Sequence, residues 1–168
     1  MKLIGVDKAR YRKHFNIVIT VIITVLVIGS LGIAQGLIYL FPIDQGSHFH
    51  WNLRAVIVTV IAILITLNYH KHQPFLAEVY YVLQLKKSLS LVSRKLHKLE
   101  KAAENGHKNA MLALQFSYKG SRQLWELDDN TITMNQLNGH QKKLDEVMVK
   151  FDVLVDVADY TPDILNEF

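Results

Sequence analysis

Eight histidines and fifteen carboxylates are the residues of this chain that could do chemistry, and their spacing limits what that chemistry is. On a helix expected over Phe75 to about Asn105, His97, Glu100, Glu104 and His107 follow at steps of three, four and three. That spacing puts them in one arc beside the apolar seam. Carboxylate–histidine arcs hold metals in helical bundles when facing helices supply matching ligands. Here only His140, Asp145 and Glu146 stand as loose candidates, and solvated i, i+3 and i, i+4 charge pairs are the favoured reading. His48/His50 and His70/His72 are two-ligand pairs, whereas a catalytic zinc wants three protein ligands and a structural one four. Asp128-Asp129 stands beside no glycine-rich phosphate loop and no HExxH, so capping and ion pairing are the readier roles. Ser88, Ser90 and Ser93 lack a nucleophile elbow. The absence of cysteine excludes disulfides, thiolate metal sites and cysteine nucleophiles. With no constellation assembled, the expectation is a non-enzymatic protein without metal or cofactor.

The elements that must position these residues begin with an apolar hairpin. Phe15–Phe41 runs 27 residues without a formal charge, a helix of roughly 40 Å at 1.5 Å per residue. The hydrocarbon core of a bilayer is about 30 Å thick, so this arm can span it with a tilt. A signal peptide would have an apolar stretch of only about 7–15 residues and a cleavage site. The second arm, Trp51–Tyr69, is marginal, because Arg54 must snorkel to the headgroups for it to span. Trp51, Arg54 and Tyr69 are therefore the expected membrane-interface residues, aromatic side chains favouring the two interfaces. In the first arm Gly29, Gly32 and Gly36 form a small-residue patch with Gln35 beside it. Packing of that patch against the second arm is expected before a homodimer seam.

Charge is segregated along the chain. Residues 1–69 carry +4, residues 70–125 carry +7, and residues 126–168 carry −7. Five Lys/Arg lie within Met1–His14 and Lys71 opens the far flank, whereas the loop Pro42–His50 holds only Asp44. The positive-inside rule then places both termini in the cytoplasm. The expected organisation is a basic segment 1–14, a transmembrane helix 15–41, an external loop 42–50, a second transmembrane helix 51–69 and a cytoplasmic helical domain 70–168.

In that domain Val82, Leu85, Leu89, Val92, Leu96, Leu99 and Ala103 alternate at gaps of three and four, a heptad seam on a basic helix. Packing on the acidic C-terminal block is favoured over lipid or another chain. Asn105-Gly106 is a helix stop. A second helix is expected from about Lys108 to Leu127, where Gly120 marks a kink or a close approach. Thr133-x-x-Gln136 reads as a capping box opening a third helix to about Phe151. The tail 152–160 should be irregular or helical, and Thr161-Pro162-Asp163 starts a last short helix. The fold class is thus all-α: a two-helix transmembrane hairpin followed by a bundle of three main helices and a short C-terminal one. The basic helix lacks a nucleic-acid recognition module, so no nucleic-acid partner is expected.

Taken as a whole, the segments Asp7-Lys-Ala-Arg-Tyr-Arg-Lys-His14, Arg122-Gln-Leu-Trp125-Glu-Leu-Asp-Asp-Asn-Thr131-Ile-Thr133 and Ala158-Asp-Tyr-Thr-Pro162, with the hairpin, resemble domain-of-unknown-function family 3087. The resemblance implies a two-pass inner-membrane protein of a Gram-negative bacterium and brings no activity with it. The expected role is a scaffold or accessory subunit whose partners are the lipid bilayer and another membrane or cytoplasmic protein. Its candidate partner surface is Arg122, Trp125, Asp128, Asp129 and Asn130, since a Trp flanked by charge at a helix end suits an anchor. Alternatives are a homo-oligomer through the heptad helix and the glycine face, or a membrane-associated metal protein or enzyme.

Overall fold

Helix formation around the first apolar run starts before the run does. In the computed structural model, which describes residues 2–42, 47–130 and 134–168, α1 covers Lys8–Leu40. Its first turns use good helix formers, Ala9, Arg10, Arg12 and Lys13. Tyr11 is 2% exposed and stacks on Phe15 at 5.6 Å. The helix stops two residues short of Pro42, as the residue before a proline is pushed out of helical geometry. At 33 residues it reaches about 50 Å, and residues 8–14 of the basic segment expected to precede the span are its first two turns. The second apolar helix, α2, is Phe49–His70.

Both helices are long and apolar enough to cross a membrane, and only 6% and 11% of their apolar windows are buried. Neither is therefore shielded as the core helix of a water-soluble protein would be. Their polar side chains are satisfied locally. Thr59 and Thr66 donate to the carbonyls of Ala55 and Ala62, each at 2.8 Å. These i−4 bonds pair the hydroxyls within their own helix.

The described residues beyond α2 form four α-helices and two short 3-10 helices joined by turns and irregular segments. α3 is Pro74–Arg94, α4 Leu96–Glu104, α5 Lys108–Leu127 and α6 Met134–Lys150. Short 3-10 helices follow at Val157–Asp159 and Pro162–Glu167, the latter opened by Thr161 and Pro162. The chain divides into two compact units, Met1–Lys8 with Tyr81–Phe168, and Ala9–Tyr80.

One expected element is corrected. The helix over 75–105 breaks at Lys95, whose ψ of 7° leaves the helical basin. The cause is tertiary: Lys95 Nζ donates to the Leu165 carbonyl at 2.6 Å and Lys98 Nζ to the Phe168 carbonyl at 2.8 Å. The basic helix is thereby tied to the C-terminal block. Either side of the break Val92 and Leu99 are both fully buried.

The core of the larger unit is built around α5. From Ala110 to Tyr118 every residue is buried, so this stretch is covered on all sides. Leu85, Leu89 and Val92 cover it from α3, Leu99 and Ala103 from α4, Leu137 and Leu144 from α6. Val157, Tyr160 and Leu165 close the end, with the Phe116 and Tyr160 rings stacked at 3.8 Å. Gly120 sits inside a continuous helix and marks a close approach. A Cβ there would stand 3.1 Å from both Leu85 Cδ1 and Leu89 Cδ2.

Three helices end in the same way. His107 N–H donates to Ala102, Asn130 N–H to Trp125, and Val153 N–H to Met148, the six-to-one bond of a Schellman motif. The residues that must adopt positive φ are Gly106 at 85°, Asp129 at 56° and Asp152 at 52°. Asp tolerates that conformation better than most residues, which explains the acidic turn after α5. Thr133 of the expected capping box, and Asp44 of the loop, lie outside the described residues.

Candidate functional site

The side chains with chemical potential collect along one flank of α5. Glu100 and Glu104, one turn apart, form a carboxylate wall from α4. His140 and Lys143, also one turn apart, form the facing wall from α6. Ala103, Leu114, Leu144 and the ring of Tyr118 make the floor of this cleft, whose volume is about 230 Å³. Tyr118 is 8% exposed, and its hydroxyl is pushed up to about 12, first by burial and then by the nearby Glu100 carboxylate. It therefore stays a neutral donor at physiological pH.

A second cleft of about 450 Å³ continues along α5 on the other side of Tyr118 and His140, which line both. The two rings stand 5.9 Å apart. Leu89, Leu96, Leu124, Leu137 and Trp125 give this second compartment an apolar lining, with Lys86 at its edge. Polar pairs brace α6 over α5: Gln141 Nε2 donates to Gln115 at 2.7 Å, and Arg122 to the Asn138 side-chain oxygen at 2.8 Å.

Of the histidine–carboxylate arc on α4, the structure brings only Glu100 and Glu104 into this cleft. His97 and His107 are exposed, and His107 packs edge-on to Phe168 at 6.0 Å. Asp145 is held by Gln141 at 2.8 Å. Among the described residues no group of three His, Cys, Asp or Glu is placed to share a metal ion.

The candidate partner surface at the end of α5 is largely engaged by the chain itself. Asp128 pairs with Lys86 at 3.3 Å, and Asp129 pairs with Lys8. Trp125 is half-buried, packed against the core and lining the second cleft, while Asn130 is exposed. The irregular N-terminal segment that delivers Lys8 is itself gripped. Ile4 N–H donates to Tyr81 Oη at 3.0 Å, Gln123 Nε2 donates to the Ile4 carbonyl at 2.6 Å, and Tyr81 Oη donates to Gln123 Oε1 at 3.1 Å. Both backbone groups of one residue are thus held by two side chains bonded to each other. Nothing in the local pattern of 1–8 announces this contact, because its partners lie 77 and 119 residues away.

In the hairpin, a Cβ at Gly29 would stand 3.1 Å from Thr59 Cγ2, so Gly29 does pack on α2. Gly32 and Gly36 do not: nothing lies within 4 Å of a Cβ at either, and Gln35 is exposed. The expectation of one glycine patch against the second arm is corrected accordingly. Buried Ala34, Ala55 and Thr59 are the other small residues of this unit's interior. At the interface positions, the Arg54 guanidinium lies 4.7 Å over the Trp51 ring, and Phe41 stacks on Trp51 at 5.5 Å. Tyr69 is 80% exposed and meets the His70 ring edge-on at 4.9 Å.

The arrangement defines an all-helical protein carrying two helices fit to cross a membrane and a helical domain with a charge-lined cleft. The chain belongs to the family described as Protein of unknown function (DUF3087), whose model matches residues 1–165. No curated protein and no solved structure matches the chain.

Proposed function

We propose that this is a two-pass inner-membrane protein of a Gram-negative bacterium, with both termini in the cytoplasm and a non-enzymatic role as an accessory or scaffold subunit. One observation carries the reading. The N-terminal segment up to Lys8 and residues 81–168 form a single compact unit, and the two unshielded apolar helices lie between them in sequence. Segments that fold together must lie on one side of a bilayer, so an even number of crossings separates them. Exposing those two helices to water would instead forfeit about 25 cal/mol per Å² of apolar surface. The excess of Lys and Arg ahead of the apolar run Phe15–Phe41 supports an inside location for the shared side.

The surface offered to a partner is narrower than the sequence indicates. Asp128 and Asp129 are paired within the domain, which leaves the exposed part of Trp125 with Asn130. Self-association through α1 is a second reading, favoured by the exposed Gly32, Gln35 and Gly36. The chain has no cysteine, so single introduced thiols test the topology directly. A membrane-impermeant maleimide applied to intact spheroplasts should label Ser47→Cys and leave Lys2→Cys and Asn166→Cys unlabelled. Labelling of Asn166→Cys from outside refutes the cytoplasmic domain. Disulfide crosslinking of Gly36→Cys separates the accessory subunit, which gives no dimer band, from the homo-oligomer.

A further inference from the structure

The cleft flanked by α4, α5 and α6 has a feature that ordinary surface charge lacks: its two walls are of opposite sign and do not close on each other. Glu100 and Glu104 line it from α4 and His140 and Lys143 from α6, and among the described residues no ion pair joins the two sets. The space between the walls, about 230 Å³, falls below the roughly 300–1,000 Å³ of pockets for drug-sized ligands. An anion entering it meets the two carboxylates, and a cation meets Lys143. Only a small molecule that is itself dipolar satisfies both walls. A molecule of that kind also needs an outlet for its third substituent. The second cleft supplies one: it is largely apolar, includes Trp125, and shares Tyr118 and His140 with the first.

We propose that this cleft binds a zwitterion of the α-amino-acid class with an apolar side chain. Its ammonium faces Glu100 and Glu104, its carboxylate faces Lys143 and His140, and its side chain passes Tyr118 into the compartment lined by Trp125. This goes beyond a scaffold role: a membrane-held domain with such a site would read the supply of a small metabolite. The two readings fail separately, since topology labelling does not depend on the cleft and ligand binding does not depend on a protein partner.

The test uses the purified full-length chain in lipid nanodiscs, with calorimetric titration of L-leucine and L-phenylalanine and, in a Trp51→Phe background, the fluorescence of Trp125. Saturable binding with a dissociation constant below about 1 mM is expected. L-leucinamide, lacking the carboxylate, and N-acetyl-L-leucine, lacking the ammonium, should each bind roughly tenfold or more weakly, the loss of one charge-assisted contact. Glu104→Gln should weaken L-leucine by a similar factor while leaving N-acetyl-L-leucine unchanged. Lys143→Gln should do the same for L-leucine but leave L-leucinamide unchanged. Both side chains are exposed, so folding is little affected by either substitution. Absence of saturable binding by both amino acids overturns the proposal. So does binding of the amide or the acetyl form as tight as that of L-leucine, or binding indifferent to Glu104→Gln and Lys143→Gln.

Discussion

Gly106→Ala probes backbone and packing at once. Gly106 closes α4 at φ +85°, donating its N–H to Ala103 at 2.9 Å, and a methyl there would sit 2.9 Å from Cδ1 and Cε1 of Phe151. The left-handed conformation costs an L-residue roughly 1–2 kcal/mol. Alanine recovers about 0.4–1 kcal/mol of that by restricting the unfolded chain. Phe151 is 38% exposed, so its ring can swing away, giving up its contact and the cation–π approach of Lys150 at 5.3 Å. That loss adds about 0.5–1 kcal/mol at an exposed site. The expected destabilisation is therefore about 1–2 kcal/mol. For a domain of 60–100 residues this lowers Tm by about 4–8 °C per kcal/mol. Urea unfolding in detergent, followed by Trp125 fluorescence in a Trp51→Phe background, reads it. The same substitution in a Phe151→Ala background should cost less, because only the backbone part remains. Equal costs in the two backgrounds would remove Phe151 from the account, and no cost in either would refute the left-handed cap itself.

Asp152→Gly should act in the opposite sense, raising stability by a few tenths to about 1 kcal/mol in the same urea assay, because φ is +52° there and glycine relieves the strain. The stability contributed by two buried tyrosines should be lost between pH 10 and 12. Tyr118 and Tyr160 are both pushed up to about 12 by burial, so above pH 10 the unfolded chain loses protons that the folded chain retains. Tyr160→Phe should flatten that decline, and an unchanged profile in a pH series of unfolding curves would count against burial as its cause. In the hairpin, Gly29→Leu should lower stability in the same unfolding assay by crowding Thr59, whereas Gly32→Leu and Gly36→Leu should leave it unchanged. An equal loss from Gly32→Leu would show that the exposed glycines hold the hairpin after all.

What the sequence by itself determined is what local chemistry and short periods can encode. An uncharged run longer than a bilayer is thick can only be a long apolar helix, and Gly106 followed by new apolar periodicity can only be a stop and a start. The bounds of α5, Lys108–Leu127, follow from those local signals. Tertiary structure decided the rest, because each remaining feature joins residues that no period relates. The break at Lys95 answers to carbonyls of Leu165 and Phe168 some 70 residues on, and it divides a seam whose heptad spacing is uninterrupted. Gly32 and Gly36 fit a packing motif as well as Gly29 does, and only the crossing of α1 on α2 selects among them. Glu100 and Glu104 were visible as an arc, but the ligand-like histidines beside them were the wrong partners. His140, a facing candidate already on the third helix in sequence, reaches them together with Lys143 and Tyr118 because α5 is buried between α4 and α6, and burial is a property of the assembled fold.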